Sequence, residues 1–218
     1  MADKKEEIVG FAGMVERAGF TALLGKSKGT PGFVKQVREY EATTNYLENK
    51  ALKAIGRYKP DKDAIEFNPV HPSFPNTMEG RTAFRAHELI HRMDHMVYRS
   101  WGNVEFLGAI GKEMARLDNV VDNVRGRDVS VFDMVLEDVR RMSREDRMAV
   151  HDILSALRGK NDGLRFGHRV EYWTSDKRRV PKEILANIGT LDVTEGKGLA
   201  VIKRYFTELF NAYKEMVK

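Results

Sequence analysis

The sequence predicts a predominantly helical α+β fold with one small β-hairpin. Most of the chain carries apolar residues three and four positions apart, the period of helices with one buried face. Between residues 54 and 68 the pattern changes to alternating apolar and polar residues around a turn-rich segment, which is typical of a hairpin. The 218 residues can bury one sizeable core. We expect one domain over residues 54–218, with a helical segment, residues 1–53, packed on it.

Composition argues against several classes of protein and of site. No apolar run approaches the roughly 20 residues that span a bilayer, and the N-terminus lacks the pattern of a secretory signal. Because the chain has no cysteine, a metal would have to be bound by imidazole and carboxylate groups. The sequence therefore predicts a cytoplasmic protein without membrane contact.

The net charge of +5 raises the question of nucleic-acid binding. The 37 basic residues are offset by 32 acidic ones, however, and the two signs are interspersed. Mixed charge of this kind is usual on a solvated helix face. We therefore disfavour a nucleic-acid partner.

Two helices are predicted before the hairpin. The first covers residues 4–26, and the second covers residues 32–55. The buried face of the first helix is predicted to carry Ile8, Phe11, Met14, Val15 and Ala18. The hairpin strands are predicted at residues 54–58 and 64–68, joined by Lys59–Asp63.

The third predicted helix starts from an N-cap at Thr82 and runs to Tyr98. At about 100° per residue its core stripe carries Ala86, Ile90, Met93 and Val97. The neighbouring face carries His87, Glu88, His91 and His95. One side of this helix is therefore predicted to face the core, and the other, which we call its chemical face, to carry the side chains that can bind a metal or transfer a proton.

The rest of the chain is again predicted to be mainly helical. Helical segments are expected at residues 104–124, 131–142 and 144–157, the last one capped by Ser143, followed by a loop at residues 159–167. Pro181 is expected to open a short helix that carries Glu183 and Asn187. A single amphipathic helix is expected over residues 199–217.

The His-Glu-x-x-His pattern at residues 87–91 predicts a zinc site that activates water for peptide hydrolysis. His87 and His91 stand one turn apart, roughly 6 Å along the axis, and can bind one ion. Glu88 can act as the general base. The alternative is a chance match on a charged helix.

Such a site needs a third protein ligand. His95 is about 12 Å along the axis from His87 on an unbroken helix, too far to share an ion. Glu183 and Glu171 are the remaining candidates. Asp94 can either orient the His91 ring or simply face solvent.

Three segments, taken in order, resemble the phage- and prophage-associated zinc metallopeptidases, which are similar in turn to the lethal-factor-like gluzincins. These segments are His87–Asp94, Gly167-His168-Arg169-Val170-Glu171-Tyr172-Trp173, and Glu183-Ile184-Leu185-Ala186-Asn187. The resemblance covers about residues 54–192. Members of the family often carry glycine where Ile90 stands.

The resemblance implies a zincin-like domain that binds zinc through His87, His91 and Glu183, with Glu88 as base. His168 and Tyr172 are the available oxyanion donors; the alternative is that they are a loop histidine and a core aromatic. In zinc peptidase folds a sheet edge beside the metal helix can pair with an extended substrate, and Ile65–Asn68 is the expected edge. The alternative is an ordinary sheet edge.

The function expected from these features is a phage- or prophage-derived zinc metallopeptidase in the cytoplasm of a bacterial or infected cell. Its substrate would be a peptide or protein, including a phage-particle component or the chain itself. The first alternative is a non-catalytic phage structural or assembly protein. The second is a basic nucleic-acid-binding protein.

Overall fold

The computed structural model describes residues 11–124 and 127–218. These residues are mostly helical with a small sheet, in agreement with the predicted α+β class. The α-helices are α1 (Phe11–Lys26), α2 (Pro31–Thr43), α3 (Met78–Met93), α4 (Val104–Arg116), α5 (Val131–Val139), α6 (Arg144–Arg158), α7 (Val170–Ser175), α8 (Arg179–Thr194), α9 (Gly198–Tyr205) and α10 (Thr207–Met216). The strands are β1 (Asn45–Glu48), β2 (Gly56–Lys59), β3 (Ala64–Phe67), β4 (Val120–Val124) and β5 (Arg127–Ser130).

The main sheet has three strands in the order β1-β3-β2. Strands β2 and β3 form the predicted antiparallel hairpin, and β1 pairs with β3 in parallel. The predicted sheet edge is wrong in position, because β3 contains Ile65 and is the central strand. The edge that contacts α3 is β2.

The second predicted helix ends earlier than expected, at Thr43, and the chain continues as β1. The hydroxyls of Thr43 and Thr44 both donate to the carbonyl oxygen of Tyr40, at 3.2 and 2.7 Å. These bonds occupy a carbonyl that the ending helix leaves without a backbone partner. The segment 1–53 therefore contributes a strand to the same sheet as residues 56–67.

Helix α3 begins at Met78, with Thr77 rather than Thr82 as its N-cap. The Thr77 hydroxyl accepts a hydrogen bond from the Gly80 N–H, whereas Thr82 is buried inside the helix. After Met93 the chain continues as a wider π-helical turn, Asp94–Tyr98, which ends at Arg99 with φ of 47°. The Asp94 carboxylate accepts hydrogen bonds from the backbone and hydroxyl of Ser100 and fixes this end.

Helices α3 and α8 pack against each other at the centre of the molecule. Ile90 of α3 and Ile188 of α8 are fully buried. Gly189 permits this close approach, because a Cβ there would lie 2.9 Å from both Ile90 Cδ1 and Phe33 Cζ. The packing brings one face of α8 against the chemical face of α3.

Arg92 joins α3 to the hairpin turn. Its Nε and Nη2 donate to the two carboxylate oxygens of Asp63, each at 2.7 Å, and its Nη1 donates to the Tyr40 carbonyl at 3.0 Å. Such a two-pronged contact fixes orientation as well as distance. The residue after His91 thus holds the turn between β2 and β3.

Several other boundaries differ from the sequence prediction. The expected helix 104–124 ends at Arg116, and the valine-rich residues 120–124 form β4, which pairs with β5. Helix α8 has 16 residues and carries Pro181 in its first turn, so it is neither short nor opened by Pro181. The expected helix 199–217 is broken at Phe206, whose φ of −127° and ψ of 50° are not helical. The Phe206 ring is fully buried.

The first helix also presents a different buried face. Ile8 lies outside the described residues, as do the side chains of Phe11, Met14 and Val15, while Ala18 is exposed. The buried positions are Phe20 and Leu24, which are four residues apart.

None of the described helices is long and apolar enough to cross a membrane.

Candidate metal centre

Three side chains meet between α3 and α8. The Nε2 atoms of His87 and His91 are 3.1 Å apart, and Oε2 of Glu183 lies 3.3 Å from the first and 3.5 Å from the second. Sequence reasoning proposed these three residues from segments that are more than 90 positions apart. The fold brings them to one point.

The triangle formed by these three atoms suits a tetrahedral zinc ion. With bonds of about 2.05 Å, neighbouring ligand atoms around such an ion are about 3.3 Å apart. The observed separations of 3.1 to 3.5 Å bracket this value. Two imidazoles and one carboxylate are also a common donor set for zinc with a fourth position left for water.

Contacts around Glu183 hold its carboxylate in place. The Tyr172 hydroxyl donates a hydrogen bond to Oε1, leaving Oε2 directed at the histidines. Asn187, one turn further along α8, donates from Nδ2 to the Glu183 carbonyl oxygen and to Oδ2 of Asp152, both at 2.9 Å. The third candidate ligand is thus anchored from α7 and from within α8.

The electrostatics of the triangle couple the three groups. Burial disfavours charge on His91, but the Glu183 carboxylate outweighs this and raises the pKa of His91 to about 9. Burial likewise works against ionised Glu183, yet the two imidazoles hold the pKa of Glu183 well below its usual value. A divalent cation would compete with protons for the same atoms, so metal affinity would fall in acid.

Glu88 faces the same centre from between the two histidines. Its side chain is buried, which raises its pKa, although the nearby imidazoles oppose this. The carboxylate accepts a hydrogen bond from the Tyr58 backbone of strand β2. Its Oε2 atom is buried and has no hydrogen-bond partner among residues 11–124 and 127–218. A raised pKa and a free oxygen are the properties that a general base requires.

His168 and Tyr172 lie beside Glu183. Their rings are stacked with centroids 3.7 Å apart, and His168 Nε2 is 3.8 Å from Oδ1 of Asp152. Burial and the Glu183 charge raise the pKa of Tyr172, so its hydroxyl remains a donor. Trp173 is instead part of the core, since it is buried and its Nε1 donates to Ser155.

The remaining sequence candidates are not in the triangle. Glu171 is exposed on the outer side of α7. His95 lines the cavity but packs against Tyr58 and Trp101. The Asp94 carboxylate accepts its hydrogen bonds from Ser100.

An open cavity of about 860 Å³ gives access to the centre. It is lined by strand β2, helices α3, α6 and α8, and the loop before α7. Its lining residues include Gly56 and Tyr58 of β2, His168 of the loop and Arg179 of α8.

Asp152 of α6 is the main residue that sequence reasoning missed. It lies within 4.8 Å, measured between ligand atoms, of both His168 and Glu183. No motif surrounds it, and its role depends on α6 packing against α8. Asn187, which is predicted from the sequence to lie on the same helix as Glu183, contacts Asp152 through its amide only in the folded structure.

Comparisons with protein-family models, with curated proteins and with solved structures find no match to this chain.

Proposed function

We propose that the protein is a zinc-dependent metallopeptidase with a zincin-like domain. The observation that carries this proposal is the triangle of His87 Nε2, His91 Nε2 and Glu183 Oε2, whose sides of 3.1 to 3.5 Å match the edge of a tetrahedral zinc site. Glu88 stands beside the triangle with one unpartnered, buried oxygen.

A zinc ion held there would act as a Lewis acid that polarises a peptide carbonyl and lowers the pKa of water to about 7. Glu88 would take a proton from the attacking water and deliver it to the leaving amine. Its raised pKa favours both transfers, because a base must hold the proton long enough to pass it on. Breaking the amide consumes one water and yields a carboxylate and an amine.

Tyr172 and His168 would be the groups that stabilise the oxyanion formed when the carbonyl is attacked. The Tyr172 hydroxyl donates its one proton to Glu183 Oε1, so it would reach the oxyanion only by leaving that carboxylate, whereas His168 lines the cavity without such a bond to Glu183. Hydrogen bonds at such a position are worth about 3 to 4 kcal/mol in comparable oxyanion sites.

The free edge of β2 supports a peptide as substrate. Within the described sheet β2 pairs only with β3, and the backbone of Tyr58 on its other edge reaches Glu88. An extended peptide that added to this edge would run past the base and the metal ligands. Backbone pairing of this kind binds peptides of many sequences.

The order of the three motifs supports a relationship to phage- and prophage-associated zinc metallopeptidases, and with it a cytoplasmic site of action. Phage-particle proteins and the chain itself are then the first substrates to test. A structural or assembly role without catalysis predicts no stoichiometric metal. A nucleic-acid-binding role predicts binding that weakens steeply with salt.

The experiment that tests the proposal is elemental analysis of the purified protein and of His91→Ala. We expect one tightly bound equivalent of zinc in the natural protein and its loss in the variant. His71→Ala, on the loop after β3, is the matched control and should retain the metal. Natural protein that binds no zinc after dialysis against the ion would refute the proposal.

A further inference from the structure

A second group of donors adjoins the first. Asp152, His168 and Glu183 offer one carboxylate oxygen, one imidazole nitrogen and another carboxylate oxygen, all within 4.8 Å of one another. His168 Nε2 and Asp152 Oδ1 are 3.8 Å apart. We call Asp152, His168 and Glu183 the second donor cluster.

Asp152 is oriented towards this cluster. Its Oδ2 accepts a hydrogen bond from Asn187 Nδ2 at 2.9 Å, which fixes the carboxylate plane. Its Oδ1 is buried, and no hydrogen-bond donor among the described residues reaches it. The whole side chain is only 13% exposed. A buried carboxylate oxygen without a donor is costly unless another positive group is present.

The acidic side chains around the cavity also favour an additional cation. Glu88, Asp152 and Glu183 would contribute three negative charges when ionised, and one divalent cation offsets only two of them. Arg179 of α8 also lines the cavity, but its guanidinium lies over the Tyr172 ring at 4.3 Å and donates to the Tyr172 carbonyl oxygen. It forms no ion pair with Asp152 in the part of the chain that the structure describes.

We propose that the second donor cluster is a second, weaker divalent-cation subsite, in which Glu183 is shared with the first ion. This inference rests on the proposed function, because Glu183 would hold both ions. Metal ions of two-metal sites lie about 3.5 to 4 Å apart, a separation that the two oxygens of one carboxylate can bridge. Mixed imidazole and carboxylate donors suit zinc and related first-row ions.

The two sites differ in how strongly the fold orders their ligand side chains. The ligands of the first are at most 23% exposed, and two of them stand one turn apart on one helix. In the second, the His168 side chain is 42% exposed and lies on a loop. Because ordering it costs conformational entropy and Glu183 is shared, the second ion binds more weakly.

The test is the stoichiometry of zinc binding, measured by equilibrium dialysis of the full chain against increasing Zn²⁺ followed by elemental analysis. We expect two equivalents, one tight and one weak, in the natural protein. Asp152→Asn and His168→Ala should each lose the weak equivalent and keep the tight one. The asparagine preserves the shape at position 152, and His168→Ala alters a partly exposed loop, so at least one variant should fold.

Two exposed or loop substitutions serve as controls. Asp162→Asn removes a surface carboxylate and His71→Ala removes a loop imidazole, and both should bind two equivalents. Natural protein that stops at one equivalent in a large excess of Zn²⁺ would overturn the subsite while leaving the proposed function intact. Retention of the weak equivalent by both cluster variants would overturn it as well. Natural protein that binds no tight equivalent of zinc would instead refute the proposed function, and the subsite with it.

Discussion

The hydroxyl of Tyr172 donates a hydrogen bond to Oε1 of Glu183, whose other oxygen lies 3.3 Å from Nε2 of His87. Residue 172 belongs to a helix of six residues and Glu183 to the central helix α8. The bond therefore sets which carboxylate oxygen faces the histidines. In the proposed zinc site, the affinity would then depend on a residue that need not touch the metal.

Removal of this hydroxyl should weaken the metal site. Tyr172→Phe is expected to lower zinc affinity by about 10- to 100-fold, the usual effect of losing a group that orients a ligand. A competition titration with a chelator measures this. Tyr205→Phe is the control, because its hydroxyl bonds Asp138 away from the cavity. Equal affinities in the two variants would show that Glu183 needs no such support.

Glu88→Gln should separate metal binding from chemistry. The amide keeps the size of the side chain but cannot take a proton, so we expect full zinc content and a loss of peptidase activity of at least about 10²-fold. Activity on a denatured general protein substrate and elemental analysis give the two readouts. Glu79→Gln, in the exposed first turn of the same helix, should behave as the natural protein. Persisting activity in Glu88→Gln would remove Glu88 from its proposed role.

Glu183→Ala should abolish tight zinc binding, because two imidazoles alone leave the ion without an anionic protein ligand. Glu171→Ala is the matched comparison, since that glutamate is exposed. Zinc content after dialysis distinguishes the two. A full equivalent in Glu183→Ala, bound as tightly as before, would mean that the third ligand lies elsewhere.

Substitution of Gly189 should disturb the packing of α8 on α3. A methyl group there would lie 2.9 Å from Ile90 Cδ1 and from Phe33 Cζ, so Gly189→Ala should lower the free energy of unfolding by about 1 to 3 kcal/mol. Gly111→Ala is the control: it lies in helix α4 with no atom within 4 Å of its added methyl, and it should stabilise by about 0.5 to 1 kcal/mol. Urea denaturation measures both. If Gly189→Ala were also stabilising, the two helices would have room to separate.

Stability should fall in mild acid because of His151. Burial, with a contribution from Arg147, lowers the pKa of His151, and its Nδ1 has no hydrogen-bond partner in the described part of the chain. The unfolded chain then binds the proton more readily than the folded one. The stability that neutral His151 contributes is fully present above about pH 6.5, the pKa of histidine in the unfolded chain. It is lost as the pH falls from there through the lower pKa that His151 has in the folded state.

His151→Gln should flatten this part of the stability profile, measured by urea denaturation at pH values on both sides of 6.5. His71→Gln should leave the profile unchanged, because His71 lies on a surface loop. An identical acid slope in His151→Gln and the natural protein would assign the decline to other groups.

The part of the site that could be predicted consists of residues that are close together in the sequence. His87, Glu88 and His91 share a face because of helical spacing alone, and the hairpin followed from alternation around Lys59–Asp63. Asp152 depends on the packing of α6 against α8, which no short pattern contains. The parallel pairing of β1 with β3 was missed for the same reason, since residues 45–48 look helical in isolation.

Helix ends were also poorly determined by the sequence. Thr77 and Thr82 are both acceptable caps, and the choice falls on Thr77 because Thr82 is buried when α3 packs. The break at Phe206 has a similar origin, because burial of its ring outweighs the helical period on either side. Tertiary contacts select among local options that are close in energy.

The cavity has walls of two kinds, which are α3 and β2, linked by the Arg92 contact with Asp63, and loops. Through this contact, helix α3, which carries two of the three proposed metal ligands, is bonded directly to the turn that precedes β3. The loops at residues 68–77 and 159–169 belong to no helix or strand. Sequence change in those loops, outside His168, would alter the side chains that meet a bound peptide while leaving the proposed metal ligands and base in place. If the proposed peptidase function holds, its specificity would evolve through these loops without change to the proposed base or metal ligands on α3 and α8.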